Sequence, residues 1–561
     1  MNTSLPDKFS VGNLLKNNWY VFLTLWATVF ILYLPAAKAG EVGDFTGWLY
    51  TIRYAPFWDF INRPDSLSLY QFTQLVTYGI YKVIGYNPLL WHFLQVSLHA
   101  VNCLLVFTLA KNILADSKVD KAVGIAFAAS FLFAVCPLNT EVVVHESCYH
   151  YLQGFLIVLL ILRWVQQYHY TQKRSYIWWA AILYGCSTYS LEVFYFTPWF
   201  TLSLALYYRL VIGYDKAILR KTVLYFFVPQ LLLYFAHVAV LHYVINLLVA
   251  HVAPPHDLLS IDFLCKMPKL LYHVIFMGRY FSNDIRQAVY RLCEHKALLS
   301  VVYLSLLAVC AYLVFFFKQT SLKWKAAGLF LIWMLAMVLI ATPFPIPTIQ
   351  LVGFDRYTYF MQPFIFLLLA IVFSHKRLRR VSVVLFAVYS LCNMYCLTVT
   401  NNYWKKSAYL VKRLVQPVSL PPGKTILLLN PPENMNGILM LGSQPNSVWK
   451  MMYDLYNEPK ITNTVYDVVS YNLNTLEDGA HVRVTSDSTV TVTLNQWGGW
   501  WWYKYLGANS YENEAYKLII TDAGHCYDLI LKHPAAGYQL MYEVNGNWKI
   551  VDWNKRNVDQ Y

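Results

Sequence analysis

The sequence predicts an α-helical polytopic membrane protein of about eleven transmembrane helices, ending in a C-terminal β-rich domain. Three observations predict it. Of 561 residues, 58% are apolar, 17% aromatic and only 13% charged, with a mean hydropathy of +0.40. A chain this apolar is neither a disordered tail nor an ordinary soluble enzyme. Apolar runs of about 17–25 residues recur over the first 400 positions, the length of helix that fills the hydrocarbon core of a bilayer. After about 415 the sequence turns to alternating polar and β-branched residues, the period of a strand.

In chain order the spans read as 18–36, 87–110, 122–138, 148–166, 176–193, 194–212, 222–248, 297–317, 325–342, 357–374 and 381–398. The first is read as an uncleaved helix: no small-residue cleavage site of the A-x-A type stands in a convincing context, and the later spans need it to set their polarity. Orientation follows from the basic residues. Lys8, Lys16 and the connections around 111–121, 163–174, 209–221, 318–325 and 376–380 hold 19 basic and 4 acidic residues, whereas the opposite side up to position 400 holds 11 and 12. By the positive-inside rule the amino terminus is cytoplasmic, and an odd number of spans carries the tail to the outer side. The tail, 401–561, is neutral with 14 residues of each sign. The net charge of +14 therefore orients the chain in a lipid bilayer and gives no reason to invoke nucleic acid.

Two domains follow: a transmembrane part, 1–400, and a soluble β-rich part, 401–561. Long loops face outward, at about 37–86, 138–148, 249–296 and 343–356, while the cytoplasmic connections are short and basic. Chemistry is expected on the outer side, because long loops carry functional residues more often than tight connectors do. Segments 49–60 and 262–281 mix aromatic, basic and apolar residues as interfacial helices do. In the tail, V-T-S-D-S-T-V-T-V-T-L alternates, and Pro421-Pro422-Gly423, Asn436-Gly437 and Asn545-Gly546 are turn signals. A little helix is expected around 445–457. The aromatic cluster Trp497-Gly-Gly-Trp500-Trp501-Trp502-Tyr503 suits a sugar-stacking platform, a core cluster or a membrane-interface belt. No 20–50-residue repeat is apparent. The ten cysteines form no zinc spacing; Cys136 with Cys148, or Cys265 with Cys293, are the pairs an oxidising compartment would permit, although spacing alone does not bring them together.

Ionisable residues in or beside apolar spans are costly, which makes them functional candidates. Glu41-Val-Gly-Asp44 opens the first outer loop. A carboxylate there has the chemistry of a general base toward an acceptor hydroxyl, and its plain alternative is a solvated loop acid. Arg53, Asp59, Arg63 and Asp65 follow in the same loop. His92 and His99 lie seven residues apart on one face of the second span, a spacing that suits packing or hydrogen bonding better than metal ligation. Glu141, His145 and Glu146 end the third span, Glu141 and His145 one turn apart, and Glu192 is an outward acid in an aromatic setting. Arg356, in Gly353-Phe354-Asp355-Arg356-Tyr357-Thr358-Tyr359, stands where a lipid-borne phosphate would lie, and its guanidinium can hold such a phosphate bidentately. The competing reading is a local Asp355–Arg356 pair or ordinary interfacial anchoring.

Taken in order, these fragments resemble multispanning glycosyltransferases of the GT-C fold that use polyprenyl-phosphate sugars, in particular the transmembrane and tetratricopeptide-repeat O-mannosyltransferases and their bacterial relatives. Glu41-Val-Gly-Asp44 matches the family's acidic motif in part, with one Asp in place of an adjacent acidic pair. Asn62-Arg63-Pro64 stands for Tyr-Arg-Pro. Gly85-Tyr86-Asn87-Pro88 and His92-x-x-Gln95-x-x-x-His99 resemble G-x-x-P and H-x-x-N-x-x-x-H. Phe133-Ala-Val-Cys136-Pro137-Leu-Asn-Thr140-Glu141-Val142 is similar to F-A-x-H-P-x-x-T-E-A, Ser190-Leu191-Glu192 with Pro198 to S-K-E-x-x-x-x-x-P, and Asp355-Arg356-Tyr357-x-Tyr359 to E-R-Y-x-Y. The likeness covers about 37–360; the tail is no repeat array.

The resemblance implies a GT-C-like catalytic domain over 1–400 that moves a sugar, mannose favoured, from a polyprenyl-phosphate donor to a Ser or Thr of a secreted or envelope protein, with inversion or retention open. It implies Asp44 as base, Arg356 as phosphate ligand, and Glu41, Arg63, His92, His99, Glu141, His145, Glu192, Tyr357 and Tyr359 as cavity residues. No cofactor is called for; whether a divalent metal joins the carboxylates is open. The expected location is a bacterial inner membrane with a periplasmic tail. Transfer to lipid A or another envelope glycan, or transfer of a whole oligosaccharide, is the second enzyme reading. A transporter predicts internal repeats and mid-span polar residues, and a scaffold needs no such gathering of acids, Arg and His on one side.

Overall fold

The computed structural model describes residues 11–561 except 40–41, 63–68, 191, 248–259, 342–351, 376–378, 442–446, 474, 476, 495–498, 501–509 and 523–524, and at 11–17, 44, 192, 313–314, 340, 352–354, 379 and 499–500 it describes the backbone alone. All eleven predicted spans fall on helices. Six helices among the described residues are long and apolar enough to cross a membrane: Asn18–Ala36, Pro88–Asp116, Glu146–Thr171, Lys216–Ile245, Leu322–Leu339 and Arg380–Leu414. Two bent pairs, Ala122–Ala134 with Pro137–Val144 and Asn283–Glu294 with Lys296–Tyr312, make eight if each pair is one span. The other predicted spans are shorter than their hydropathy suggested. Ser175–Ser187 has 13 residues and Gln362–Phe373 has 12, which at 1.5 Å per residue reach about 20 Å against a core of about 30 Å. The latter begins late because Pro363, which has no N–H to give, sits in the first turn where none is needed.

Pro88–Asp116 and Glu146–Thr171 run through the middle of the bundle, two-thirds and more buried, whereas Lys216–Ile245 and Arg380–Leu414 are mostly uncovered. Their outward residues are apolar, among them Leu232, Phe235, Val383, Val384 and Leu391. Hydrocarbon accepts such a face because a helix satisfies its own backbone; water does not. Small side chains, Ala122, Ala126, Ala129 and Ser130, let Ala122–Ala134 pack closely against Pro88–Asp116 and Gln362–Phe373. Asn87 starts the central helix by accepting from the Leu89 and Leu90 amides at 3.1 and 3.3 Å, with Pro88 in the first turn.

The last long helix, Arg379–Leu414, has 36 residues. At about 54 Å it exceeds the bilayer core, and it continues past both the predicted span end at 398 and the expected domain boundary at 400. Polar residues from Asn401 onward end the hydropathy signal, yet Trp404, Leu410, Val411 and Leu414 are buried, and the tail indoles of Trp449 and Trp548 donate to the Leu414 carbonyl at 2.7 and 2.8 Å. Strands begin at Thr425. One mixed sheet places Thr425–Leu428 between Tyr538–Val544 and Val465–Asp467, parallel to both. A six-stranded antiparallel sheet contains the predicted alternating run as a hairpin, His481–Val484 against Thr489–Thr493, with Val482 opposite Val492 and Val484 opposite Val490. A third, four-stranded sheet is built on Pro432–Met435 and Ser470–Leu473. Asn436-Gly437 and Asn545-Gly546 are two-residue turns with positive φ at both positions, which Asn-Gly tolerates and most pairs do not. A helix, Val448–Tyr456, lies within the expected 445–457. Of the Trp497–Tyr503 cluster only the backbone of Gly499–Trp500, a short strand, is described; the rest lies outside the described residues. All ten cysteines are free, so neither the 136–148 nor the 265–293 pairing forms.

Candidate active site

The third predicted span breaks at Val135, turns through Pro137 and resumes as the short helix Thr140–Val144. Pro137 opens the turn with its fixed φ and no amide to satisfy. The break aims Glu141 into the protein, where it is wholly buried. Its partner is 215 residues away: Arg356, in the helical turn Val352–Thr358, gives Nη1 to Glu141 Oε1 at 3.0 Å and its backbone N–H to Oε2 at 3.1 Å. The carboxylate therefore holds both the side chain and the backbone of Arg356. The guanidinium, a quarter exposed, also gives Nη2 to the Tyr357 hydroxyl at 3.2 Å and lies over that ring. Its Nε has no partner among the described residues.

Asp355 faces the other way. Its oxygens meet His273 Nε2 and Arg279 Nη1, each at 2.8 Å, so the predicted outer loop 249–296 anchors the turn that carries Arg356. Asp355 and Arg356 are thus committed to different partners, and the local pair open from the sequence does not form. Removing the cation from a wholly buried carboxylate strands its charge, which costs about 3–5 kcal/mol in measured cases; Glu141 and Asp355, both without exposure, are held to their partners by that penalty.

The first outer loop closes on the same place. His145 Nε2 lies 3.0 Å from the Val42 carbonyl oxygen and 3.0 Å from the Ser147 hydroxyl, and Gln95 donates to the His145 carbonyl at 3.2 Å. Gly43 adopts φ +55°, ψ −127°, a conformation glycine takes freely, and a Cβ there would come 4.0 Å from His145 Nε2. The helix Asp44–Tyr54 starts at the next residue. Asp44 is thereby placed at a helix start beside His145, one turn from Glu141; its side chain is outside the described residues, as are Glu41 and Arg63, and Glu192 opens a helical turn described by its backbone.

The remaining predicted residues lie deeper. His99 Nδ1 meets the Tyr359 hydroxyl at 2.8 Å, and the pair is packed among Tyr33, Phe133 and Phe155, all without exposure. His92 is buried on the same helix. Glu141, His145 and Cys148 bring one ligand atom each to within 4.8 Å of one another. Such a set suits a borderline divalent ion, but both Glu141 oxygens already accept from Arg356. The cationic charge of this cluster is the guanidinium. Gln95, Cys148, His273 and Arg279 were not singled out by the sequence as site residues. Gln95 carried a signal, its i, i+3, i+7 register with His92 and His99, whereas His273 and Arg279 are joined to Asp355 only by the fold.

No protein-family model matches the chain, and no curated protein matches it. Among solved structures, ArnT from Cupriavidus metallidurans bound to undecaprenyl phosphate aligns at 13% identity and a TM-score of 0.32 over 81% of this chain and 90% of that one. ArnT from the same organism in the apo state aligns at 12% identity and a TM-score of 0.34, over 82% and 93%.

Proposed function

We propose that the protein is a GT-C-like membrane glycosyltransferase that takes a sugar from a polyprenyl-phosphate donor at the outer surface of the membrane. One observation carries the reading: a guanidinium locked by a buried carboxylate, Arg356 on Glu141, beside the loop start that carries Asp44. The ordered family motifs in the sequence supply its chemistry. In the transfer, an acceptor hydroxyl attacks the anomeric carbon, its proton passes to the Asp44 carboxylate, and the bond from that carbon to the phosphate oxygen breaks. The electron pair leaves with the polyprenyl phosphate. Arg356 faces the leaving phosphate, where its charge is worth most as negative charge develops; Glu141 positions it without reorganisation during the reaction. To Arg63, Glu41, Glu192, His92 and His145 we assign the orienting of donor and acceptor; Tyr357 supports the guanidinium, and His99 pairs with Tyr359.

Mannose as the sugar and a Ser or Thr of a secreted or envelope protein as the acceptor complete the proposal. The experiment is incubation of the purified chain with polyprenyl-phosphate mannose and Ser/Thr peptides, followed by mass spectrometry. A gain of one hexose on the peptide is the expected product. A gain on lipid A or another glycan, or of a whole oligosaccharide, would replace the acceptor assignment, and intact donor with every acceptor would remove the transferase reading.

A further inference from the structure

The helix that starts at Asp44 is not part of the main core. Phe45 and Leu49 pack in a separate small cluster with Trp91, at the head of the central helix, and the fourth buried member is Leu455 from the tail. The other end of the helix is tied to the tail as well. Arg53 Nη1 donates to the Leu455 carbonyl at 2.8 Å and the Tyr54 hydroxyl to the Asp454 carbonyl at 2.8 Å. Both carbonyls belong to the last turn of Val448–Tyr456, where a helix has no partners of its own to offer them. Arg53 also pairs with Glu458 at 2.7 Å, and Lys460 lies over the Tyr54 ring, 3.2 Å from its centroid. The tail helix is thus capped, and its negative dipole end met by the Arg53 cation, from a segment 400 residues earlier in the chain.

We propose that the tail helix Val448–Tyr456 is a clasp that sets the position of the Asp44-bearing helix, with Arg53 and Tyr54 as positioning residues. This role rests on the transferase reading above. Leu49 and Phe45 give the clasp its apolar seat and Arg53 and Tyr54 its direction.

The test uses the full chain with the paired change Arg53→Ala and Tyr54→Phe, and separately Arg53→Lys. Hydrogen exchange followed by mass spectrometry reads the clasp without reference to activity: amides of 44–54 should exchange about tenfold faster or more in the paired variant, with those of 88–116 unchanged. Donor turnover reads the consequence. The kcat should fall about fivefold or more while KM for the donor stays within about twofold, because the base acts in the transition state while the donor phosphate is held elsewhere; Arg53→Lys should recover part of the loss. Unchanged exchange at 44–54 would overturn the clasp. Faster exchange with unchanged kcat would overturn the positioning role. A wild-type chain that transfers no sugar would overturn the transferase reading, and the positioning role with it, while the exchange result would still decide whether the two helices are fastened.

Discussion

A double-substitution cycle on Glu141 and Arg356 tests the geometry on which the site is built. Glu141→Gln leaves one carbonyl oxygen for two donors, Arg356 Nη1 and the Arg356 amide, so one charge-assisted hydrogen bond is lost and a donor is set against an amide group. Arg356 keeps a quarter of its surface open and can recover some hydration; the expected cost is about 1–3 kcal/mol. Arg356→Gln is worse, because it strands a carboxylate with no exposure, at about 3–5 kcal/mol. With both residues changed, two neutral amides face each other and can share a hydrogen bond. The double variant should therefore be more stable than the sum of the singles predicts by about 2–3 kcal/mol. Denaturant unfolding of the purified protein in detergent, read by tryptophan fluorescence, measures all four corners. Additivity within about 0.5 kcal/mol, or a Glu141→Gln variant weaker than Arg356→Gln, would refute the pairing.

Two further outcomes concern the tail. Gly546 has φ +72° in the turn after Tyr538–Val544, and a Cβ there would stand 2.6 Å from Leu410 Cδ1; Gly546→Ala should destabilise the junction by about 1–3 kcal/mol and speed proteolytic release of the tail from the long helix. Burial pushes the Glu543 carboxyl from an ordinary 4.5 up to about 8 and that of Asp467 from 3.8 to about 7. The folded tail then holds protons that the unfolded chain has released, so its stability should fall as pH rises from about 4 to about 8. Glu543→Gln should remove about half of that slope in exchange measured at pH 5 and pH 8.5; a slope of opposite sign, or one unaffected by the substitution, would contradict the assignment.

Much of this architecture could be read from the sequence because its signals are local. Each apolar run became a helix, and Asn436-Gly437 and Asn545-Gly546 became turns because their φ preferences belong to the residues themselves. What was not legible depends on long-range packing. Hydropathy lost the helix Arg379–Leu414 at its polar stretch, since residues distant in the chain bury Trp404 and Leu410. Pro137 lies inside the predicted span 122–138, where the structure breaks, and nothing near it in sequence announces Arg356 as the partner of Glu141. Asp355 and Arg356, adjacent in the chain, were weighed as partners of each other, and the fold gives one to His273 and Arg279 and the other to Glu141. Arg53 read as one more loop charge until the tail helix was seen to end upon it.

The measurement closest to the central claim is single-turnover sugar release from a polyprenyl-phosphate donor by the wild-type chain and by Asp44→Asn, with donor binding measured alongside. Asp44 begins the helix directly after Gly43, which lies beside His145, and a positioned base contributes about 10²–10⁴-fold to such a step. The account predicts that Asp44→Asn binds donor as tightly as the wild type and loses at least about a hundredfold in rate. A correctly folded Asp44→Asn protein that transfers sugar at the wild-type rate would contradict it.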